Sequence, residues 1–435
     1  MSILEAIRVA APERVGVVSS IVGLGLEVGG LDCAIGDLVT IGGDDGAASL
    51  DAEVIAATAT GIRCMPLGRM SGISAGAPVR TRGLPILVPT GASLFGRVID
   101  GLGRPIDGRG PLGVTRYVSL DNDSPSPMHR ARIEQPLQLG VRALDTLTTM
   151  GRGQRTGLFA GSGVGKSSLL SMIARGTEAE VSVIALVGER GREVREFLED
   201  DLGAEGLARS IVVVSTSDEP AMMRLRAAFL ATRIAESFRD DGAHVMLMMD
   251  SLTRVAMAQR EIGLSVGEPP ATRGYPPSTF SLLAQLLERA GTGEVGSVTG
   301  IYTVLVDGDD HNEPIADAAR SILDGHVVLD RKLSVAGHFP SIDILGSISR
   351  VASRVTEPER MRVASVLRST MAARRAAQDL LDVGAYQRGA NPKVDAAVDN
   401  EAEINAFLRQ SMNDQSSTES AWQQLGALAQ KLGGV

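Results

Sequence analysis

The chain has 435 residues and a formal net charge of -9, with 44% apolar, 22% charged and 3% aromatic residues. That length exceeds what a single hydrophobic core covers, so two or three domains are expected, and the acidic balance excludes a protein that tracks nucleic acid on a basic surface. Apolar stretches such as Val245 to Met249 fall far short of a membrane span, and Met1 to Arg14 lacks the basic start and pure apolar run of a secretory signal, which predicts a cytoplasmic protein.

From Arg14 to about Pro89, short Val- and Ile-rich runs alternate with Gly, a spacing that predicts a small β-barrel domain over 1–90. Within it lie the only two cysteines, Cys33 and Cys64, which share no metal-like spacing and read as inert thiols of a reducing compartment. Gly96 to Pro111 is dense in Gly, Pro and Asp and reads as a linker within a loop-rich lead-in over 91–140. Between about Val141 and Arg354 the pattern becomes that of an α/β fold. Continuous apolar runs at Leu158 to Ala160, Val181 to Val187, Ser210 to Val214, His244 to Met249 and Ile301 to Val306 alternate with helical stretches. Strands buried on both faces read this way in a parallel sheet covered by helices, so a core domain is expected over 91–354. After Glu357, Met361, Val363, Val366, Leu367, Met371, Leu380 and Leu381 recur with helical period, predicting a helical domain over 355–435 with a polar, mobile stretch from Asn413 to Ser420.

The strongest local signal is Ala160-Gly161-Ser162-Gly163-Val164-Gly165-Lys166-Ser167-Ser168, which follows an apolar strand and opens a helix. Glycines let backbone N–H groups turn inward on a phosphate, and the helix N-terminus adds its positive end. Lys166 is then expected on the β- and γ-phosphates and the Ser167 hydroxyl on Mg²⁺ of a bound ATP or GTP. Ala160 stands where the strict pattern has Gly, at the strand end and not in the turn. Asp250 ends the apolar strand from His244, where a carboxylate reaches a metal's hydration shell or, equally, caps the next helix. Glu189 follows another such strand, in Gly188-Glu189-Arg190-Gly191-Arg192-Glu193. There it is either a carboxylate that orients water for attack or part of a solvated charged turn, and charge pattern alone favours the turn.

Together with Met249-Asp250-Ser251-Leu252-Thr253-Arg254 and Gly346-Ser347-Ile348-Ser349-Arg350-Val351, these segments resemble the rotary F/V-type ATPase superfamily. Val88 to Gly91 and Leu94 to Asp107 are similar to its barrel-to-core junction, so the resemblance covers nearly the whole chain. Within it, Gly151 to Ser162, Gly267 to Ser278, Asp309 to Asp317 and Ile322 to His326 resemble the flagellum-specific and type III secretion ATPases, the flagellar branch first. The resemblance implies a RecA-like P-loop core between an N-terminal β-barrel and a C-terminal helical domain, and an Mg-ATP hydrolase that drives unfolding or delivery of export substrates. It makes Glu189 the catalytic carboxylate, Arg190 a γ-phosphate contact, and Glu193 with Asp250 part of the magnesium shell. Arg350 becomes an arginine finger acting on a neighbour's ATP in a homo-hexamer. Phe339, eleven positions earlier, becomes the adenine-stacking aromatic; without the resemblance it reads as a core residue. The Gly274-Tyr275-Pro276-Pro277 loop is expected at the central pore. The implied partners are a coiled-coil stalk protein, a regulatory dimer at the N-terminus, the export gate, and export substrates with their chaperones, with peripheral attachment at the inner face of the membrane. The few residues before the barrel leave little room for a regulator-binding helix. A proton-coupled ATP synthase catalytic subunit would use the same site, whereas a non-catalytic ring subunit usually lacks the Glu189 carboxylate and a ring helicase needs a basic, aromatic-rich barrel.

Overall fold

A computed structural model describes residues 13–43, 49–81, 83, 85–113, 116–306 and 313–433; the Met1–Pro12 stretch and the 309–312 part of the export-type segment lie outside the described residues. Six strands, β1 (Arg14–Val22), β2 (Gly25–Gly29), β3 (Leu38–Gly42), β4 (Ser49–Thr58), β5 (Gly61–Pro66) and β6 (Pro78–Thr81), form a closed antiparallel barrel in the order β1-β2-β5-β4-β3-β6. Side chains alternate as the pleat requires: Leu26, Val28, Val39 and Ile41 point inward, and Glu27 faces solvent. Cys33 and Cys64 are buried as free thiols in this core, and burial pushes Cys64 up to about 12, so neither is a ready nucleophile. On the outer wall Glu53, 2% exposed, pairs with Arg226 of the core domain and seats the barrel.

The central sheet contains β7 (Val98–Ile99), β8 (Arg155–Ala160), β9 (Val181–Glu189), β10 (Ser210–Thr216), β11 (His244–Asp250), β12 (Ser297–Leu305), β13 (Gly325–Val328) and β14 (Ile348–Ser349) in the order β14-β13-β8-β12-β11-β9-β10-β7. All neighbours along it are parallel except β13 and β14. The Gly- and Pro-rich lead-in is thus more than a linker: it supplies edge strand β7, held by Arg97 on Asp107 at 2.7 Å. Burial on both faces explains the continuous apolar runs. Phe159, Val183, Val213, Leu247 and Val304 pack on one face under α4 (Ala221–Asp240), α5 (Leu252–Ser265) and α6 (Pro277–Arg289), numbered with α1 (Arg142–Leu147), α2 (Lys166–Gly176) and α3 (Gly191–Glu196) before them. Their neighbours Leu158, Ile184, Val212 and Met246 pack on the other face, under α1 and α2.

The second face does not end at the core domain. After α7 (Pro314–Ile322), helices α8 (Pro358–Ala376), α9 (Pro392–Asp399), α10 (Glu401–Leu408) and α11 (Thr418–Lys431) place Leu367, Phe407, Trp422 and Leu425 in one cluster with Leu139, Leu144 and Leu170. Arg142 donates to the Phe407 carbonyl at 3.1 Å and to Asp414 at 2.7 Å, while Arg175 donates to the Met412 carbonyl at 2.7 Å. The stretch expected to be mobile near Asn413 is therefore anchored to the core, and Ser417 ends it by capping α11. Among the described residues no helix is long and apolar enough to cross a membrane.

Because Leu425 is fully buried in this shared cluster, Leu425→Ala should cost ~2–5 kcal/mol. In urea unfolding the sheet and the C-terminal helices should lose structure in one transition. An early separate loss of the C-terminal helices would show that the two do not share a core.

Candidate nucleotide site

Parallel strands in register bring their C-terminal ends to one edge. Ala160 pairs with Leu305, Leu186 with Asp250 and Glu189 with Thr216, so the chain reversals that follow crowd the place where open α/β sheets bind ligands. After β8 the chain turns through Gly163 (φ 74°) and Gly165 (φ 88°), backbone that side-chain-bearing residues rarely adopt, and α2 begins at Lys166. The unsatisfied N–H groups of its first turn make this helix end an anion site. A cavity of about 430 Å³ opens there, lined by Ala160, Gly161, Ser162, Gly163, Gly165, Lys166, Ser167 and Ser168 on one side and Glu189, Arg190, Glu193, Asp250 and Arg254 on the other. Val164, the remaining residue of the loop, turns inward and is 1% exposed.

Lys166 sits between two carboxylates, its Nζ 2.5 Å from Asp250 Oδ1 and 3.3 Å from Glu189 Oε1. Burial alone would push the ammonium down, but Asp250 and Glu189 outweigh it and hold Lys166 above its ordinary range. Asp250, 4% exposed, also accepts the Thr303 hydroxyl from neighbouring β12 at 2.7 Å. Glu189 is reached through a bulge at Gly188, whose φ of 72° and 2.9 Å clearance between a Cβ and the Arg254 stem leave room for no other residue. The Ser217 N–H donates to the Glu189 carbonyl at 3.0 Å and fixes that turn. Far from a solvated turn, the Glu189 side chain is 15% exposed. Burial, the Asp250 charge and a hydrogen bond to Glu193 raise its carboxyl to about 7 against the pull of Lys166. Burial opposes ionisation of Glu193 as well, but the hydrogen bond from Glu189 and the Arg190 guanidinium, 3.0 Å away, hold it below the usual carboxylate range. Of these two neighbouring carboxyls, Glu189 is therefore the more basic.

Sequence reading gave no role to three residues of this neighbourhood. Arg254 lines the cavity; its Nη1 donates to Met257 Sδ at 3.9 Å, and its buried Nε has no hydrogen-bond partner among the described residues. Its signal was its place one helical turn after Asp250. Thr303 and Ser341, which donates to the Val164 carbonyl at 2.6 Å, gave no local signal at all.

Phe339 is 45% exposed, not a core aromatic, and its ring would lie 3.3 Å from a Cβ at Gly165. It stands beside the Gly-rich loop as a platform open to a flat ligand. Arg350 is elsewhere: it follows β14 at the sheet edge, is exposed, donates to the Arg320 carbonyl at 3.1 Å and does not line the cavity.

The described residues contain no group of three or more His, Cys, Asp or Glu side chains able to cage a metal. The Ser167 hydroxyl, Asp250 and Glu193 around one cavity are instead a donor set that suits Mg²⁺, which keeps several waters and takes one or two carboxylates beside a ligand's phosphates.

Residues 140–349 match the ATP synthase alpha/beta family, nucleotide-binding domain, and residues 356–427 match the T3SS EscN ATPase C-terminal domain. The chain is 51% identical over 405 residues to the flagellum-specific ATP synthase of Bacillus subtilis, covering 92% of each chain. It is 46% identical to the type 3 secretion system ATPase of Xanthomonas euvesicatoria, covering 95% of this chain and 94% of that one. Among solved structures, the assembled ATPase EscN of the enteropathogenic E. coli type III secretion system superposes with a TM-score of 0.88 at 43% identity, covering 95% of this chain and all of that one. EscN in complex with its central stalk EscO gives the same TM-score and identity.

If Glu189 serves as a base it must first lose its proton, and kcat/KM for ATP hydrolysis, which reports groups of the free enzyme, should then rise as pH passes through about 7. Glu193→Gln removes the partner that favours the protonated form and should move the midpoint to lower pH. A profile flat between pH 5.5 and 8.5 would contradict this assignment.

Proposed function

The chain belongs to the flagellum-specific and type III secretion ATPases, and from that premise we propose that the cavity beside Lys166 binds Mg-ATP and that Glu189 directs water at its γ-phosphate. The protein is an ATP hydrolase of protein export. The observation that carries the site assignment is the buried Lys166 held between Asp250 and Glu189 at the strand ends, beside a Gly-rich loop.

In this reading Lys166, the loop amides and Arg254 take the phosphates, and Arg190 adds a cation at the cavity mouth. Ser167, Asp250 and Glu193 would hold Mg²⁺, whose chemistry is to neutralise charge on the transferring phosphoryl group. As Lys166 turns to phosphate, Glu189 loses its counter-charge and is left to orient water and take its proton as the water oxygen bonds to the γ-phosphorus and the bond to ADP breaks. Phe339 stacks the adenine. Arg350 does not line its own cavity and in this reading serves the site of a neighbour in a ring of six; that the relative EscN is solved as an assembled ATPase supports assembly. The structure of EscN with its central stalk EscO supports a stalk partner, and a coiled-coil protein is proposed for it. A regulatory dimer at the N-terminus, the export gate, export substrates with chaperones, and peripheral attachment at the inner membrane complete the proposal. The match of residues 356–427 to a type III secretion domain favours export over ATP synthesis.

Glu189→Gln should keep ATP affinity and lower turnover by at least ~10²-fold, the lower range for a positioned base. Steady-state hydrolysis with a parallel nucleotide-binding titration checks it. Turnover close to wild type would remove Glu189 from the role.

A further inference from the structure

We infer that Ser341 is a positioning residue for ATP binding: it sets the direction of the loop amides by holding the Val164 carbonyl. The inference rests on the nucleotide reading of the cavity and adds a residue to it.

A Gly-rich loop binds phosphate only if its peptide planes face the right way. In a planar trans peptide the C=O of one residue and the N–H of the next are antiparallel, so fixing one fixes the other. Ser341, 1% exposed, donates its hydroxyl to the Val164 carbonyl at 2.6 Å. The Gly165 N–H is thereby turned to the opposite side, and Gly165 lines the cavity. Ser334 does the same more weakly one peptide earlier, reaching the Gly163 carbonyl at 3.4 Å. Gly165 has no side chain to hold its own φ of 88°, so an external clamp is what restricts the loop before phosphate arrives.

The clamp is also joined to the base platform. Ser341 lies two residues after Phe339, whose ring rests against Gly165, and the Gln410 N–H holds the Phe339 carbonyl at 3.0 Å. One short segment thus sets the loop's amides and presents the aromatic face, so base and phosphate are received by a single preformed unit. Amides held this way act on ground state and transition state alike, so their loss weakens binding and leaves turnover at saturation in place.

The test is a Ser341→Ala and Ser341→Thr pair in the full-length chain, titrated with a fluorescent ATP analogue plus Mg²⁺ and assayed for hydrolysis. Ser341→Ala should raise Kd and KM about 3- to 10-fold, the range of one net hydrogen bond, with kcat within about 2-fold of wild type. Ser341→Thr keeps the hydroxyl and should restore wild-type Kd. If the alanine variant melts below the assay temperature, Ser341→Cys, near in size but a weaker donor, carries the same expectation. A wild-type Kd in Ser341→Ala or Ser341→Cys, or an equal loss in Ser341→Thr, would overturn the inference. Failure of the wild-type chain to bind the analogue would instead overturn the nucleotide reading itself.

Discussion

A lysine whose side chain is only 14% exposed must find counter-charge, and in this chain it finds two carboxylates carried by different strands. Removing one partner of such a buried pair typically costs ~3–5 kcal/mol, so the arrangement constrains everything around it. Asp250 and Glu189 can both reach Lys166 only because β11 and β9 are neighbours in register. Lys166 can meet them only because β8 ends at the same edge, one strand beyond β12. In the proposed reading the carboxylates stand beside the phosphate site, and Arg254 lines the same cavity. In the proposed reading, nucleotide binding exchanges anions on a preformed cation, and Glu189 is the released carboxylate assigned to water.

Much of this was legible along the chain, for physical reasons that differ from part to part. Strands buried on both faces write themselves as apolar runs, and a phosphate loop needs glycines and a lysine at fixed spacing, so β8, β9, β11 and the Lys166 loop could be read directly. Glu189 could not be read from charge pattern, because a buried carboxylate and a solvated one look alike in Gly-Glu-Arg-Gly-Arg-Glu. Its burial is decided by the Gly188 bulge and the Arg254 stem, which belong to another element. Phe339 posed the opposite problem, an apolar residue whose exposure follows from the loop it leans on.

Thr303 and Ser341 were invisible for a third reason. A buried hydroxyl carries no pattern of its own, and what it donates to depends on the sheet order that sets β12 between β8 and β11 and on the segment folded over Val164. The same holds for the C-terminal helices. Their period was plain, but not that Phe407, Trp422 and Leu425 would share a core with Leu144 and Leu170, nor that Asp414 would be tied to Arg142. The nucleotide platform and the export-type domain are in this way parts of one packed body, joined again at Gln410.

In the proposed ring, the cation for the transition state comes from a neighbour, because Arg350 does not line its own cavity. A guanidinium stays charged and presents a planar fork of donors, which suits charge spread over phosphoryl oxygens, and fingers of this kind are worth ~10³-fold or more in turnover. The most direct measurement mixes two inactive variants, Arg350→Ala and Glu189→Gln, and follows ATP hydrolysis as a function of their ratio. The account predicts that activity returns on mixing, greatest near equal amounts, because mixed interfaces then carry one intact half from each parent. Two variants that stay inactive at every ratio, while wild-type specific activity is independent of protein concentration, would contradict it and make the site self-contained.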